Sequence, residues 1–512
     1  MSTSRRTVLL QGGVIGAGLI AGHLPGAAAL AAQAGPPLRR SLQGLAWNDP
    51  IVATYRDAVG IMKRKPASDP LSWVQLAGIH GSLDTGFRYC PHGNWYFLPW
   101  HRAFTTMYER IVRHLTRNDD FALPYWDWTT NPLMPAVFLD EKTPDGKPNW
   151  LCVTDPGMKR TWNRTTPMPA DICGRAVLTE VLNATPYEVF GTGRPRGQNS
   201  LDPSWVTTRT GVQGRLEATP HNLIHNNIGG WMPSPASPRD PIFFMHHGNI
   251  DRIWTVWNLR HANSADPLWT GMTFKDNFRN PDGTFWSPKV SDLFVPEELG
   301  YTYGTPPRPA ATAAARTLSL PDTLSTVLSA PPTGGSPGQD LAVASVENSK
   351  AATPAAPLTL TVPVPEASLR AVRGRVPVGS GLETMDFTAA QERAVSGTRA
   401  LAILRDVAIT DPGTTAVQVY LGDAPVRGQP GPSDPRYVGT FAVLDHSRGG
   451  HGGHGDALPS FVLDLTDPLQ RVAGLGGARP NAIGIQIVPV AAANGKPGTA
   501  TPRRIEVVFV TS

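Results

Sequence analysis

The chain has 512 residues, more than one ordinary hydrophobic core accommodates, so two domains with processing and linker segments are expected. Glycine and proline number 51 each and charged residues make up only 17 %, which predicts a turn-rich surface and few long helices. The net charge of +5 is spread without a run of five or six basic residues, so nucleic acid is not an expected partner.

At the N-terminus, Arg5-Arg6 stand directly before an apolar stretch that runs to about Leu24, and small residues follow at Ala29-Leu30-Ala31 and Ala32-Gln33-Ala34. Residues 1–34 therefore read as a twin-arginine signal, too short and glycine-rich for a comfortable membrane span, with an uncleaved anchor as the alternative. The Tat translocase exports folded chains, so the expected destination is the periplasm or the medium, with metal acquired beforehand. No later segment is apolar enough to cross a bilayer.

Asp49-Pro50 and Asp69-Pro70 each set a capping acid before a first-turn proline, which predicts two helix starts, the second helix carrying His80 near its end. His101, Phe104, Tyr108, Ile111 and Leu115 recur at helical spacing between Pro99 and Leu115. A third helix is expected over Glu217–Asn227. A fourth is expected from Pro241 to Leu259, with Phe243, His247, Ile250, Trp254 and Trp257 on one face. The fold class that follows is a mainly α domain over 35–304, a four-helix bundle turning histidines inward. Residues 305–357, dominated by Ala, Pro, Thr, Ser and Gly, are expected to be a linker. Beyond it, β-branched runs at Leu358–Val362, Ala416–Leu421, Ala482–Val488 and Arg504–Val510 predict a small β-sandwich over 358–512. No internal repeat of twenty to fifty residues is visible.

Nine of the thirteen histidines lie between His80 and His261, and six of them form two groups of three. His80, His92 and His101 make the first group. In the second, His221 and His225 are four apart, on one helical face, and His247 follows on the next helix. Three neutral imidazoles leave a metal with open positions, but imidazole alone suits zinc, copper, iron or nickel. Neither group contains a carboxylate, which argues against di-zinc and di-iron chemistry and for a pair of copper ions that activate O2.

With these motifs in view the chain resembles the tyrosinase, catechol oxidase and haemocyanin family of type-3 copper proteins over about residues 40–305. The likeness rests on the eight-residue gap between His92 and His101 and on Pro220-His221-Asn222-Leu223-Ile224-His225 followed by Asp240-Pro241-Ile242-Phe243-Phe244-Met245-His246-His247. It implies two coppers held by His80, His92, His101, His221, His225 and His247, with His246 a neighbour in the outer shell. It further implies a thioether joining Cys90 to His92, the alternative being an ordinary buried thiol. Cys152 and Cys173 are then left as a candidate disulfide of an exported chain.

The resemblance implies oxidation of small phenols by O2. A monophenol is hydroxylated at the ortho carbon and an o-diphenol is oxidised to the o-quinone. Because a phenol has a pKa of about 10, hydroxylation at neutral pH needs a base. Glu217 and Asn222 resemble a water-holding pair of this family and are the candidate catalytic residues. Their plain alternatives are an acid favoured by the helix dipole and an exposed helix residue. Phe243 is expected to pack on an imidazole or simply in the core, and Asp251 to orient a ligand or to pair with an arginine. The stretch Trp231–Ser237 has no Phe where plant-type relatives carry a gating one, while Tyr125-Trp126-Asp127-Trp128 and Tyr301-Thr302-Tyr303 resemble their core and clasp motifs. Tyr420-Leu421-Gly422 and Tyr437-Val438-Gly439-Thr440-Phe441 resemble the β-domain that shields the centre of latent plant-type enzymes. The Gly/His loop Asp445–His454 reads either as a copper-ferrying element or as a solvated loop. Catechol oxidase and o-aminophenol oxidase are the alternatives within the class. An oxygen carrier and a metal hydrolase are the rivals outside it.

Overall fold

A computed structural model describes residues 35–512 except 163, 305–321, 330–340, 375–396, 445–456, 476–478, 493–494 and 512. The twin-arginine segment, most of the expected linker and the Gly/His loop lie outside the described residues. Residues 37–512 form one compact unit.

Local chemistry sets the helices. The first, α1 (Pro50–Arg64), begins where the Asp49 carboxylate accepts from the Ile51 N–H, and it buries Val52, Tyr55, Val59 and Met62 along one face. The Asp69-Pro70 expectation fails in extent. Asp69 caps only a turn, and the helix α2 that follows is Trp73–Ala77, started by Ser72, so His80 sits in the turn beyond it. A second cap at Ser72, whose hydroxyl accepts from the Gln75 N–H, starts the helix three residues later, so the Asp69 stretch stays a turn. The long helix α3 (Phe97–Thr116) ends at Arg117, in the left-handed region at φ 55°.

The third expected helix is also modified. Thr219, directly before Pro220, is extended at φ −157° and ψ 119°, as a residue preceding proline prefers. A wide turn over Glu217–His221 therefore precedes the helix α4 (Asn222–Ile228), which stops at Gly229 with φ +72°. Helix α5 (Ile242–Trp257) is buried on every side, its polar residues His246, His247, Asn249, Asp251 and Arg252 included. Its first turn is fixed by Asp240, whose carboxylate accepts from the Ile242 N–H and is held by Arg160 at 2.6 and 2.7 Å.

The expected linker is structured in two places. Residues Asp322–Ser329 are a helix, α6, and Leu341–Glu347 a strand, so the β region begins before residue 358. Alternation of small residues there, half-buried Ala342, Ala344 and Val346 against exposed Val343 and Ser345, carries a two-residue period that alanine and serine disguise. The strands of the two larger sheets are β1 (Val212–Gln213), β2 (Leu341–Glu347), β3 (Leu358–Pro363), β4 (Thr398–Ile409), β5 (Thr415–Leu421), β6 (Tyr437–Phe441), β7 (Ser460–Asp464), β8 (Ala482–Ala491) and β9 (Ala500–Thr511). One sheet has the order β6-β5-β8-β3 and the other β1-β7-β4-β9-β2. All these pairings are antiparallel except β7 with β1, where Ser460 and Phe461 run beside Val212 and Gln213. Val417, Val419, Ile485 and Ile487 of the first sheet share an apolar cluster with Ala402, Leu404, Phe461 and Val507 of the second. No helix among the described residues is long and apolar enough to cross a membrane.

Candidate metal centre

The six histidines singled out by their spacing are all buried, at most 2 % exposed. His101 comes from α3, His225 from α4 and His247 from α5, whereas His80, His92 and His221 sit on turns and loops. Four of the rings are oriented through Nδ1. His80 Nδ1 lies 2.6 Å from the Pro235 carbonyl, His101 Nδ1 2.8 Å from that of Phe97, and His225 Nδ1 2.7 Å from that of Met232. His221 Nδ1 lies 2.8 Å from the Asn222 side-chain oxygen. A carbonyl oxygen only accepts, so each Nδ1 carries the proton and each Nε2 keeps its lone pair for a metal. His92 Nδ1 instead faces the Glu217 carboxyl at 3.4 Å.

The Nε2 atoms converge as that tautomer requires. Those of His80 and His92 are 3.5 Å apart and those of His225 and His247 are 3.3 Å apart. Two nitrogens bound tetrahedrally to one metal at about 2.0–2.1 Å are about 3.3–3.4 Å apart, so both pairs suit a shared ion. The potential ligand atoms of His80, Cys90, His92 and His101 all lie within 4.8 Å of one another, as do those of His221, His225, His246 and His247. The two groups abut. The His101 and His247 rings stack at 4.1 Å, and those of His92 and His221 are 5.4 Å apart.

Burial, reinforced by neighbouring imidazoles, holds the His80, His221, His246 and His247 rings well below the usual histidine range. Burial likewise lowers His101 to about 3 and His225 to about 4. These rings are therefore neutral at pH 7, the form in which imidazole binds a metal. The donor set of imidazoles, with no carboxylate among the converging atoms, fits copper and leaves coordination positions open.

Residues 70–260 match the family model described as the common central domain of tyrosinase. Tyrosinase HcTyr1 of Hahella sp. (strain CCB-MM4) is 30% identical over 321 residues, which cover 53% of this chain and 64% of that protein. The chloroplastic polyphenol oxidase of Vitis vinifera is 30% identical over 307 residues, covering 54% of this chain and 49% of that one. Residues 70–260 thus carry the central domain of the type-3 copper family of tyrosinases and catechol oxidases. It spans between 49% and 64% of the length of these two relatives. The solved structure of latent apple tyrosinase has the same fold, with a TM-score of 0.60 at 20% identity over 93% of this chain and 98% of that one. The two histidine groups are accordingly the halves of a binuclear copper centre.

Around that centre the other residues named from sequence take defined places. The Glu217 carboxyl accepts from the Gly93 N–H at 2.7 Å and from the Thr192 hydroxyl, and burial pushes its pKa up to about 8. Asn222 is buried rather than exposed. Its oxygen faces His221, and its amide donates to Gln213 Oε1 and to the Ala442 carbonyl, each at 2.9 Å. Phe243 lies 4.2 Å from the His247 ring and 5.3 Å from that of His80. His246 is buried within the second group, 4.8 Å from the His225 ring, with no hydrogen-bond partner on either nitrogen among the described residues. The 3.3 Å approach to His225 is made by His247.

Asp251 orients no imidazole directly. Its oxygens take Arg102 at 2.5 Å, Arg39 at 3.1 Å and the Tyr301 and Tyr303 hydroxyls at 2.7 Å each, so of the two sequence readings the arginine partner is the one observed. Cys152 and Cys173 are free buried thiols, not a disulfide. Cys152 faces the Leu139 carbonyl and Cys173 that of Trp128, and burial raises the Cys173 pKa to about 12. Cys90 is also a free buried thiol, 3.4 Å from His101 Nε2. Sequence reasoning missed the carbonyls of Phe97, Met232 and Pro235. Every residue carries a carbonyl, so nothing in a side-chain pattern marks them.

Proposed function

We propose that the protein oxidises small phenols with O2, converting a monophenol and O2 to an o-quinone and water, and an o-diphenol to the o-quinone. The observation that carries this reading is the pair of buried, carboxylate-free histidine groups abutting at His101 and His247. His80, His92 and His101 hold one copper and His221, His225 and His247 the other, and the bound pair supplies O2 activation. Relatives named tyrosinase, polyphenol oxidase and catechol oxidase support the class. In the monophenol reaction Glu217 and Asn222 hold a water that takes the phenolic proton, and the pKa of about 8 at Glu217 suits a group that gives and accepts protons near neutrality. Cys90 is the proposed thioether partner of His92. Intact-mass analysis of the mature protein checks this as the loss of the thiol hydrogen and one ring-carbon hydrogen, both taken up by O2 as the carbon–sulfur bond forms.

The β-rich half shields the centre in this proposal. Carbonyls of Thr440, Ala442 and Val443 accept from Thr219, Asn222 and Asn226, which flank the ligands His221 and His225. Oxygen uptake by the copper-loaded protein, with a monophenol and a catechol supplied separately, tests the whole reading. Uptake with both establishes tyrosinase activity. Uptake with catechol alone leaves a catechol oxidase and removes the role given to Glu217 and Asn222. Reversible O2 binding without turnover overturns the enzyme in favour of a carrier.

A further inference from the structure

An antiparallel sheet in a free-standing domain commonly turns one face to a core and the other to water. The β-rich half of this chain does not. In β4, Ala402 and Leu404 face the core between the sheets, while Leu401 and Ile403 belong to the apolar cluster of the copper-binding half. The same alternation holds in β9, with Val507 and Phe509 against Val508 and Val510, and in β7, with Phe461 and Leu463 against Val462. Ala416 and Tyr420 of β5 and Val488 and Val490 of β8 extend that second face. Leu324 and Leu328 of α6 are 1 % exposed within the same cluster, and Arg405 of β4 donates to the Leu328 and Val327 carbonyls at 3.1 and 2.6 Å.

Polar contacts rim this apolar face. Strand β7 adds in parallel to β1 of the copper-binding half, at Ser460–Val212 and Phe461–Gln213. Arg399 donates to the Thr185 carbonyl at 2.9 Å, Arg196 pairs with Asp406 at 3.2 Å, and Gln418 reaches Asp171 at 3.2 Å. At the centre itself Asn226 donates to the Val443 and Pro412 carbonyls at 2.9 and 3.2 Å. Separation would wet apolar faces on both sides and break a strand pairing, a combination typical of permanent interfaces.

We infer that the β-rich half stays bound to the copper-binding half after the chain between them is cut, so that the two pieces persist as one non-covalent assembly. The inference deepens the shielding reading and takes its regulatory meaning from it. Clearing the centre then requires local withdrawal of Tyr437–Leu444 from Ala218–Asn226, not departure of the whole β-rich half.

The test uses the full chain, copper-loaded, with a specific protease site inserted between Gly334 and Gly335, after α6 and before β2. After complete cutting, gel filtration at decreasing concentration is expected to show both fragments in one peak at the mass of the uncut protein. In urea they are expected to separate only as the fold is lost. Fragments that elute apart in native buffer overturn the inference. Oxygen uptake on the same samples judges the shielding reading independently. Joined fragments that remain inactive support both, and joined fragments with full activity keep the assembly but remove the shield. Separated fragments with raised activity remove the assembly and keep the shield.

Discussion

The first histidine group takes His80 from the turn behind α2, His92 from a loop and His101 from α3. The second takes His221 and His225 from adjoining turns of chain and His247 from α5. Their supports differ more than their geometry. His221 is oriented by the next residue, Asn222, and His225 by Met232, seven residues on. His80 is oriented by Pro235, 155 residues away, and His92 faces Glu217. Both distant supports of the first group therefore come from the chain segment that builds the second. The second group is locally self-supporting and the first is borrowed from it, so displacing the backbone of residues 217–235 should reach both sites, while removing one side-chain support should affect only the group whose ring it faces.

The harshest way to break this comparison is at Asp251, because it ties the groups together. It lies one turn past His247 in α5 and holds Arg102, which adjoins His101 in α3. Asp251→Ala leaves Arg39 and Arg102 buried with one carboxylate fewer, and losing one partner of a buried ion pair costs about 3–5 kcal/mol. Urea unfolding should show that loss, with copper falling at both sites together. Burial opposes the Asp251 charge, but Arg102 and Arg39 prevail and hold its pKa below the usual carboxylate value. Its contribution is thus complete above the ordinary carboxylate range and drains away as pH falls through the depressed value. The variant should show a shallower acid limb in stability against pH and no change on the alkaline side.

Glu217→Gln sharpens the asymmetry. It replaces the group facing His92 and should lower copper affinity at the first site by about 10–100-fold, leaving the second intact. Competition with a graded chelator is expected to strip one copper early and one late. Equal loss from both sites would sink the idea of one-sided dependence. Because the Glu217 pKa stands at about 8, its protonated form resembles glutamine below that pH, so the gap between variant and parent should widen as pH rises through it. Asn222→Ala makes the mirror test. It frees the His221 ring, and affinity should fall about 10-fold, at the low end of such effects, at the second site alone.

The same asymmetry explains what the sequence made legible. Helices α1, α3 and α5 announce themselves through Asp49, through the row His101, Phe104, Tyr108 and Ile111, and through the row Phe243, His247, Ile250, Trp254 and Trp257, because caps and periodicity are local. The ligand spacing is local too. The supports of the first group are not, since the Pro235 carbonyl carries no side-chain signature and the meeting of Glu217 with Gly93 spans 124 residues. Short capping signals misled at Asp69-Pro70, where the chain makes turns instead of a long helix. Alanine-rich composition concealed α6 and β2 inside the expected linker, because it is the burial of Leu324 and Leu328 against a distant partner that stabilises such a weakly patterned segment.

Phe243 gives the mildest and most discriminating test, because it touches both groups without supporting either by a hydrogen bond. Its ring lies 4.2 Å from that of His247, 5.3 Å from that of His80 and 5.8 Å from that of His225. Phe243→Leu keeps an apolar group of nearly similar volume in a fully buried position, so the expected loss is about 1 kcal/mol, from packing and the lost ring contacts. Chelator resistance should then decide what holds the imidazoles in place. If the Nδ1 hydrogen bonds set ring orientation, both coppers stay as tightly bound as in the parent protein and only the thermal midpoint drops. If aromatic packing sets it, the His247 site should loosen first, since that ring has no Nδ1 partner among the described contacts and leans on Phe243 most closely.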